Sequence, residues 1–246
     1  MKTYIINPDK LHPETLAFYK SFADLTNYIE DADIIIVSDF SPIETDKIVA
    51  MNATCPDNVK APRIIKLEPE TGELNDVVAV PELCLWAMFE LIRKRGGQEL
   101  KGKTLGVIGR GRIGTILGDM VSSLGMKIAT YDIKENRGMN ELETVLKQDI
   151  VSLNISSTEE NRGFMDRAKF EMMKDGSYFL NSARPWLVDN EAFKWAMENK
   201  LAGAWVDFEL GWTAKNLIQT NHQGGNTIES KKKTELIIAN KVKDYV

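Results

Sequence analysis

The stretch Thr104-Leu105-Gly106-Val107-Ile108-Gly109-Arg110-Gly111-Arg112-Ile113-Gly114 decides the fold of this chain. An apolar run leads into three glycines spaced Gly-x-Gly-x-x-Gly, and a helical pattern follows from Ile113 to Leu124. A strand before the glycines and a helix after them are the context in which this motif predicts a dinucleotide-binding turn. Gly109 then allows the tight turn, Gly111 lets the backbone approach a pyrophosphate, and Gly114 lets the helix pack closely on the strand.

A second apolar strand, predicted at Lys127–Asp132, ends on an acid. Asp132 comes 18 residues after Gly114 (132 − 114), near the spacing of about 20 residues at which an acid binds the ribose hydroxyls. A carboxylate there accepts the 2′-hydroxyl and repels a 2′-phosphate, so the pattern favours NAD over NADP. Arg112 and Ile113 open the helix, whose backbone N–H groups are predicted to face the phosphates. The alternative is a plain βαβ turn in which Asp132 only ends a strand.

Short apolar runs alternate with helical patterns along nearly the whole chain. Some of these runs, such as Ile34–Val37, are apolar throughout, which is typical of a strand covered on both faces. We predict strands at Tyr4–Ile6, Ile34–Val37, Arg63–Leu67, Val77–Val80, Thr104–Ile108, Lys127–Asp132, Ile150–Ile155, Tyr178–Asn181 and Gly203–Phe208. We predict helices at Glu14–Ile29, Glu82–Arg95, Ile113–Leu124, Asn140–Lys147, Arg167–Lys174, Asn190–Asn199 and from Ile228 to about Tyr245. The alternation predicts an α/β fold in which helices wrap a parallel sheet, with a domain boundary near Pro81.

The composition is that of a soluble globular protein of one or two domains. The chain has 246 residues, at roughly 150 residues per domain. Its 43% apolar and 27% charged residues are ordinary for such a protein. With 31 basic against 36 acidic residues the net charge is −5, which argues against broad binding to nucleic acid or anionic membranes. The run Lys231-Lys232-Lys233 is interpreted as a solvated helix face.

The cysteines and the N-terminus indicate a reducing compartment. Cys55 and Cys84 form no CxxC pair, so a disulfide framework or a zinc site is not expected. The first residues reach Pro8 before any signal-peptide apolar core forms. The longest apolar stretch, Leu83–Ile92, is about half the length of a membrane span and contains Glu90. We therefore expect a cytoplasmic protein.

Two later segments resemble stretches of the D-isomer-specific 2-hydroxyacid dehydrogenase family. They are Asn181-Ser182-Ala183-Arg184-Pro185-Trp186-Leu187-Val188-Asp189 and Thr220-Asn221-His222-Gln223-Gly224-Gly225-Asn226-Thr227. The resemblance runs continuously from about Pro81 to Thr227, and it matches the first domain more weakly, at Asp33–Pro42. Further matching segments are Leu100–Gly106, Val151–Asn154, Thr158–Gly163 and Leu201–Asp207. Several distinct motifs in the right order make the match specific, and the chain resembles a compact, truncated member.

The resemblance implies two domains and a nicotinamide cofactor. A Rossmann-type doubly wound parallel sheet at residues 81–227 would bind NAD. A smaller, flavodoxin-like substrate domain would be built from residues 1–80 and 228–246. The family's reaction interconverts a small 2-oxoacid and a D-2-hydroxyacid by hydride transfer. The site is then expected at the carboxyl ends of the parallel strands.

The resemblance also implies roles for individual residues. Arg184 would hold the substrate carboxylate and polarise the reacting carbonyl, because guanidinium offers a planar fork of donors that stays charged. His222 would give and take the proton, since histidine exchanges protons near neutral pH. Asp207 would meet the nicotinamide carboxamide. Further cofactor contacts are implied for Ser156, Ser182, Ala183 and Gly225.

The sequence departs from the family pattern after Asp207. The family places a glutamate a few residues on, paired with the histidine, but Trp212 stands roughly at that position. Glu209 is the nearest acid, and strand alternation would put it on the same face as Asp207. Either Glu209 partners His222, or the histidine has no such partner and is a poorer proton donor above neutral pH. Trp186 either narrows the substrate pocket or packs at a domain interface.

Other departures bear on assembly and substrate. Only Gly96-Gly97-Gln98-Glu99 stand where the family carries a dimerisation arm, so the usual homodimer is an open question. The glycine-rich loop that receives the substrate carboxylate is not recognisable, and Lys66–Gly72 stands there instead. Ser38-Asp39-Phe40 replaces the arginines of phosphoglycerate-type relatives, which disfavours a phosphorylated substrate. The competing interpretation is a non-catalytic sensor that binds NAD(H) and regulates a partner.

Overall fold

A computed structural model describes residues 1–39, 41–54, 56–133 and 140–246 of the chain. Phe40 and Cys55 lie outside the described residues. The chain divides into two compact units. Unit 1 comprises Met1–Val77 with Asn226–Val246, and unit 2 comprises Val78–Gly225. The assignment of substrate binding and cofactor binding to separate domains stays a prediction.

Strands and helices alternate in both units. In chain order the strands are β1 Lys2–Ile6, β2 Asp24–Leu25, β3 Ile34–Val37, β4 Ile43–Glu44, β5 Ile48–Met51, β6 Val59–Lys60, β7 Arg63–Ile65, β8 Thr104–Ile108, β9 Lys127–Tyr131, β10 Ile150–Leu153, β11 Ser177–Asn181, β12 Leu201–Val206 and β13 Leu217–Gln219. The helices are α1 Pro13–Phe22, α2 Ala79–Met88, α3 Arg112–Ser123, α4 Leu142–Leu146, α5 Arg167–Met172, α6 Asn190–Asn199 and α7 Ile228–Tyr245. A π-helical segment, Phe89–Arg95, continues α2.

Unit 1 contains a five-stranded parallel sheet in the order β2-β1-β3-β5-β7 and a separate pair, β4-β6. All four residues of the central strand β3 are buried, because apolar side chains cover both faces of the sheet. Helix α7 packs against α1 and supplies Ile238, Ala239 and Val242 to the core. The core of unit 1 is therefore completed by residues from the far end of the chain.

Unit 2 contains a six-stranded parallel sheet in the order β13-β12-β11-β10-β8-β9. Along β12, Ala204 and Val206 enter one core cluster and Trp205 enters the other, so both faces of the sheet are covered. The strand order reverses between β8 and β10, and doubly wound sheets bind ligands outside the carboxyl ends at such a point. The predicted doubly wound α/β fold class is confirmed.

Some predictions of individual elements were wrong. Val77–Val80 was expected to be a strand, but α2 begins at Ala79; a short apolar run cannot be distinguished from a helix start by periodicity, and Pro81 fits the first turn of a helix. The helix predicted from Glu14 ends at Phe22, because the chain enters β2 at Asp24. Strands β5 and β13 were missed. Across the described part of the chain, no helix is both long and apolar enough to span a membrane.

Candidate active site

The glycine-rich turn lies between β8 and α3, with Gly111 as the residue that caps the helix. Gly109 has φ of 95°, a left-handed conformation, and a Cβ there would lie 2.6 Å from the carbonyl oxygen of Asn154. Gly114 is equally constrained, because a Cβ would collide with the Gly109 carbonyl oxygen. At Gly111 a Cβ would meet nothing within 4 Å among the described atoms. Two of the glycines therefore allow close packing, and Gly111 borders open space.

Asp132 lies next to this turn. It directly follows β9, and its Oδ2 accepts a hydrogen bond from the Arg110 N–H at 2.8 Å. The Gly109 N–H in turn donates to the Tyr131 carbonyl oxygen at 2.8 Å. Arg112 is half-buried, and this burial lowers the pKa of its guanidinium. The glycine turn and Asp132 are thus joined by a hydrogen bond, although Arg110 and Asp132 are 22 residues apart in the sequence.

Arg184 lies in a turn that a buried asparagine fixes. Asn181 ends β11 and is fully buried; its Oδ1 accepts from the Ala183 N–H at 2.9 Å, and its Nδ2 donates to the Arg184 carbonyl oxygen at 3.1 Å. The half-buried Arg184 side chain donates through Nη1 to the Ala183 carbonyl oxygen at 3.0 Å. The amide of Asn181 therefore determines how the chain leaves the strand at Arg184.

Asp207 fixes the segment that carries His222. Its carboxylate is 2% exposed, and three donors point at it. Oδ1 accepts from the Thr220 hydroxyl and the Gln223 N–H, both at 2.7 Å, and Oδ2 accepts from the Gly224 N–H at 2.7 Å. These donors stand on both sides of His222, which has a left-handed φ of 47°. A buried carboxylate with three hydrogen bonds holds that conformation in place.

Cys84 of α2 is fully buried, with Ser182 and Asp207 among the polar groups beside it. Burial raises the pKa of the Cys84 thiol to about 12. The thiol is therefore protonated at neutral pH, and a thiolate nucleophile is not expected here.

Glu209 does not lie where strand alternation predicted. Strand β12 ends at Val206 and the chain bends at Asp207 and Phe208, so alternation does not extend to Glu209. Glu209 is exposed, and among the described residues no hydrogen bond or ion pair joins it to His222. The position predicted for Glu209 from strand alternation is therefore wrong, and the pairing of Glu209 with His222 stays a prediction.

The predicted site residues of unit 2 follow the carboxyl ends of all six strands. The glycine turn follows β8, Asp132 follows β9, Ser156 follows β10, Ser182, Ala183 and Arg184 follow β11, Asp207 follows β12, and His222 and Gly225 follow β13. Because the strands are parallel neighbours in one sheet, these loops share one edge of it. Sequence reasoning missed the positioning roles of Asn181 and Thr220. Asn181 stands at the end of the apolar run Tyr178–Leu180, whereas Thr220 follows Gln219 and carries no such signal.

The nucleotide-binding part of the chain matches a known protein family. Residues 86–224, more than half of the chain, match the family described as D-isomer specific 2-hydroxyacid dehydrogenase, NAD binding domain. The chain belongs to this family, so the resemblance found in the sequence is confirmed. NAD is the cofactor of the family's domain.

Relatives and solved structures agree with this assignment. D-3-phosphoglycerate dehydrogenase 1 of Saccharomyces cerevisiae is 32% identical over 177 residues, which cover 60% of this chain and 38% of the relative. Hydroxypyruvate reductase of Blautia hydrogenotrophica is 31% identical over 209 residues, 74% of this chain and 62% of the relative. The matches thus span less than two thirds of either relative. A solved structure, NAD+-bound 3-phosphoglycerate dehydrogenase of Entamoeba histolytica, shares the fold, with a TM-score of 0.82 over 100% of this chain and 95% of that chain at 21% identity.

Proposed function

We propose that the protein interconverts a small 2-oxoacid and a D-2-hydroxyacid with NAD as the hydride carrier. The observation that carries this proposal is the gathering of the predicted site residues at the carboxyl edge of one six-stranded parallel sheet. Ligands of doubly wound folds bind at that edge, and the family match gives the class of reaction. In this proposal residues 81–227 bind the cofactor, and residues 1–80 with 228–246 serve the substrate.

The residues of the glycine turn fit a dinucleotide. The open space at Gly111 leaves room for a pyrophosphate beside the backbone, and the Arg112 and Ile113 N–H groups begin a 12-residue helix whose positive end favours anions. Asp132 would take the ribose hydroxyls, since carboxylate oxygens accept hydrogen bonds and hydroxyl groups donate them. Ser156, Ser182, Ala183 and Gly225 would complete the contacts. NAD, when bound, supplies the hydride chemistry.

Arg184 is proposed to bind the substrate carboxylate and polarise its carbonyl. Asn181 fixes the backbone of the turn on which Arg184 stands, and a guanidinium can bind a carboxylate with two parallel hydrogen bonds. The same positive charge stabilises negative charge that develops on the carbonyl oxygen. His222 is proposed to donate a proton to that oxygen, or to accept one in the reverse direction. Asp207 would serve twice, by fixing the His222 segment and by meeting the nicotinamide carboxamide through its remaining acceptor position.

The test measures turnover and cofactor binding separately. Purified protein is incubated with NADH and a panel of small 2-oxoacids, and NADH oxidation is followed beside NADH binding. Arg184→Gln is expected to lower kcat/KM by roughly 10- to 150-fold, the loss of a charge-assisted contact. His222→Asn is expected to lower kcat by roughly 100- to 10,000-fold. Both variants should still bind NADH.

Arg167→Gln is the matched control for the loss of an arginine. Arg167 is exposed at the start of α5, where it pairs with Glu171 and lies over the Trp195 ring. The proposed reaction gives it no role, so the turnover of Arg167→Gln should equal that of the wild type. Tight NADH binding without turnover on any 2-oxoacid would contradict the enzyme proposal and favour the sensor. Turnover that survives in His222→Asn would show that another group moves the proton. Equal binding of NADPH and NADH would contradict the role given to Asp132.

A further inference from the structure

A cavity of about 310 Å³ lies within unit 2, beside the turn that follows Arg184. This volume is at the lower end of the range of small-molecule sites, roughly 300–1,000 Å³. Its deep walls are buried apolar side chains, among them Phe193, Val206 and Phe208. Arg184, Asp207 and His222 do not line it. The proposed dehydrogenase reaction therefore leaves the cavity without a role.

The aromatic wall of the cavity is held rigidly. The Phe193 ring stacks on Phe170 at 5.7 Å between centroids with an interplanar angle of 10°. It also meets the rings of Phe179 and Trp212 edge to face, at 5.6 Å and 5.5 Å. Phe193 is 1% exposed, so its neighbours fix its orientation. A wall that is already in place costs little ordering on binding.

Hydrogen bonds also hold the loop that forms the rim of the cavity. The Leu210 N–H donates to Gln219 Oε1 and Gln219 Nε2 donates to the Trp212 carbonyl oxygen, both at 2.7 Å. Trp212 Nε1 donates to Asn190 Oδ1 at 2.7 Å, which joins this loop to the start of α6. Trp212, which stands roughly where the family places a glutamate, is thus part of the support for the cavity.

The carboxylate of Glu209 at the rim determines which ligand charge the cavity favours. Glu209 lines the cavity and is exposed, and it forms no hydrogen bond or ion pair within the described residues. The lining residues, all of them described, include no lysine or arginine. Trp186 adds an indole, whose face attracts cations. A carboxylate beside aromatic walls repels an anion and attracts a cation that carries an apolar body.

We propose that this cavity binds a small organic cation. Its apolar, ring-sized body would lie among Trp186, Phe193 and Phe208, with its ammonium group at Glu209. This binding site goes beyond the dehydrogenase reaction, and a 2-oxoacid carboxylate is the wrong charge for it. The role proposed here for Glu209, binding the ammonium group, does not require that Glu209 pairs with His222.

The test uses three ligands of the same size and different charge. Isothermal titration of the whole protein with phenethylammonium, 2-phenylethanol and phenylacetate is expected to rank the cation first and the anion last. Glu209→Gln should weaken the binding of phenethylammonium by roughly three- to fivefold, to the level of the alcohol, because an exposed ion pair contributes that much. Glu198→Gln, an exposed carboxylate of α6 outside the lining, is the matched control and should change nothing.

Leu210→Trp tests the contribution of the cavity separately from that of the Glu209 charge. The larger side chain at this half-buried lining position is expected to fill the mouth and abolish binding of all three ligands. The proposal is overturned if phenethylammonium does not bind in the millimolar range. It is equally overturned if the cation and the alcohol bind the wild type equally, if Glu209→Gln binds the cation as tightly as the wild type, or if Leu210→Trp retains the binding.

Discussion

Asp207 in unit 2 and Glu235 in unit 1 are both 2% exposed, yet their surroundings differ. Three donors at 2.7 Å satisfy the carboxylate of Asp207. Glu235 accepts one hydrogen bond, from the His12 N–H at 2.8 Å, and its Oε1 has no hydrogen-bond partner among the described residues. Two equally buried carboxylates can therefore differ in effect: one fixes a loop, and the other costs stability.

The surroundings of Glu235 also shift its pKa. Burial raises the pKa of Glu235, and the His12 hydrogen bond and the charge of Lys231, whose Nζ lies 4.0 Å from Oε1, oppose this rise without cancelling it. Tyr19, which faces Glu235, has its own pKa raised, chiefly by burial and also by the charge of Glu235. The surroundings of Glu235 therefore favour its neutral form.

The largest loss of unfolding free energy is expected from Asp207→Asn. An amide offers one acceptor oxygen where the carboxylate offers two, so at least one of the three donors loses its partner. We expect unit 2 to lose roughly 2–4 kcal/mol of unfolding free energy, with a fall in turnover because the His222 segment shifts. All five tryptophans lie in unit 2, so urea unfolding followed by tryptophan fluorescence reports on this unit.

Asp189→Asn is the control for that substitution. Asp189 caps α6 through its bond from the Ala192 N–H, and asparagine caps a helix as well as aspartate does, so a change within about 0.5 kcal/mol is expected. Equal losses of unfolding free energy in Asp207→Asn and Asp189→Asn would show that the three hydrogen bonds of Asp207 stabilise unit 2 no more than a helix cap does.

A smaller effect is expected from Thr220→Val. It removes one donor to Asp207 and also the acceptor of the Trp205 Nε1–H, at 3.0 Å. We expect a loss of about 1–2 kcal/mol in the same urea experiment. Thr220→Ser keeps the hydroxyl and should recover most of this loss. If serine behaved like valine, the methyl group rather than the hydrogen bonds would be responsible.

The smallest effect is expected from Glu235→Gln, and it should depend on pH. A carboxyl group with a raised folded-state pKa stabilises the fold while it is neutral, and that stability is lost as pH rises from the unfolded-state pKa through the folded-state pKa. Glutamine does not titrate, so the variant should gain stability relative to the wild type as pH rises from about 4.5. Hydrogen exchange of the α7 amides, compared at each pH, measures this difference; a difference independent of pH would contradict it.

The sequence predicted the features that local geometry determines. The glycine turn, its helix and the acid that follows them are recognisable because spacing alone carries the pattern. The donors to Asp207 come from residues 220–224, and no local pattern shows which loop a buried acid will bind. The three-residue strand β13 is too short to show alternation. The position of Glu209 does not follow from alternation along β12, because that strand ends at Val206 and the chain then bends.

Unit 1 takes part of its core from α7, on the far side of unit 2 in the chain. During synthesis on a ribosome, the whole of Val78–Gly225 therefore emerges before Ile238 and Val242 are made. Unit 2 is one uninterrupted stretch and can fold as soon as it leaves the exit tunnel. The core of unit 1 can be completed only after α7 has been synthesised, so Ile34 and Ile36 of β3 cannot reach their final packing before then.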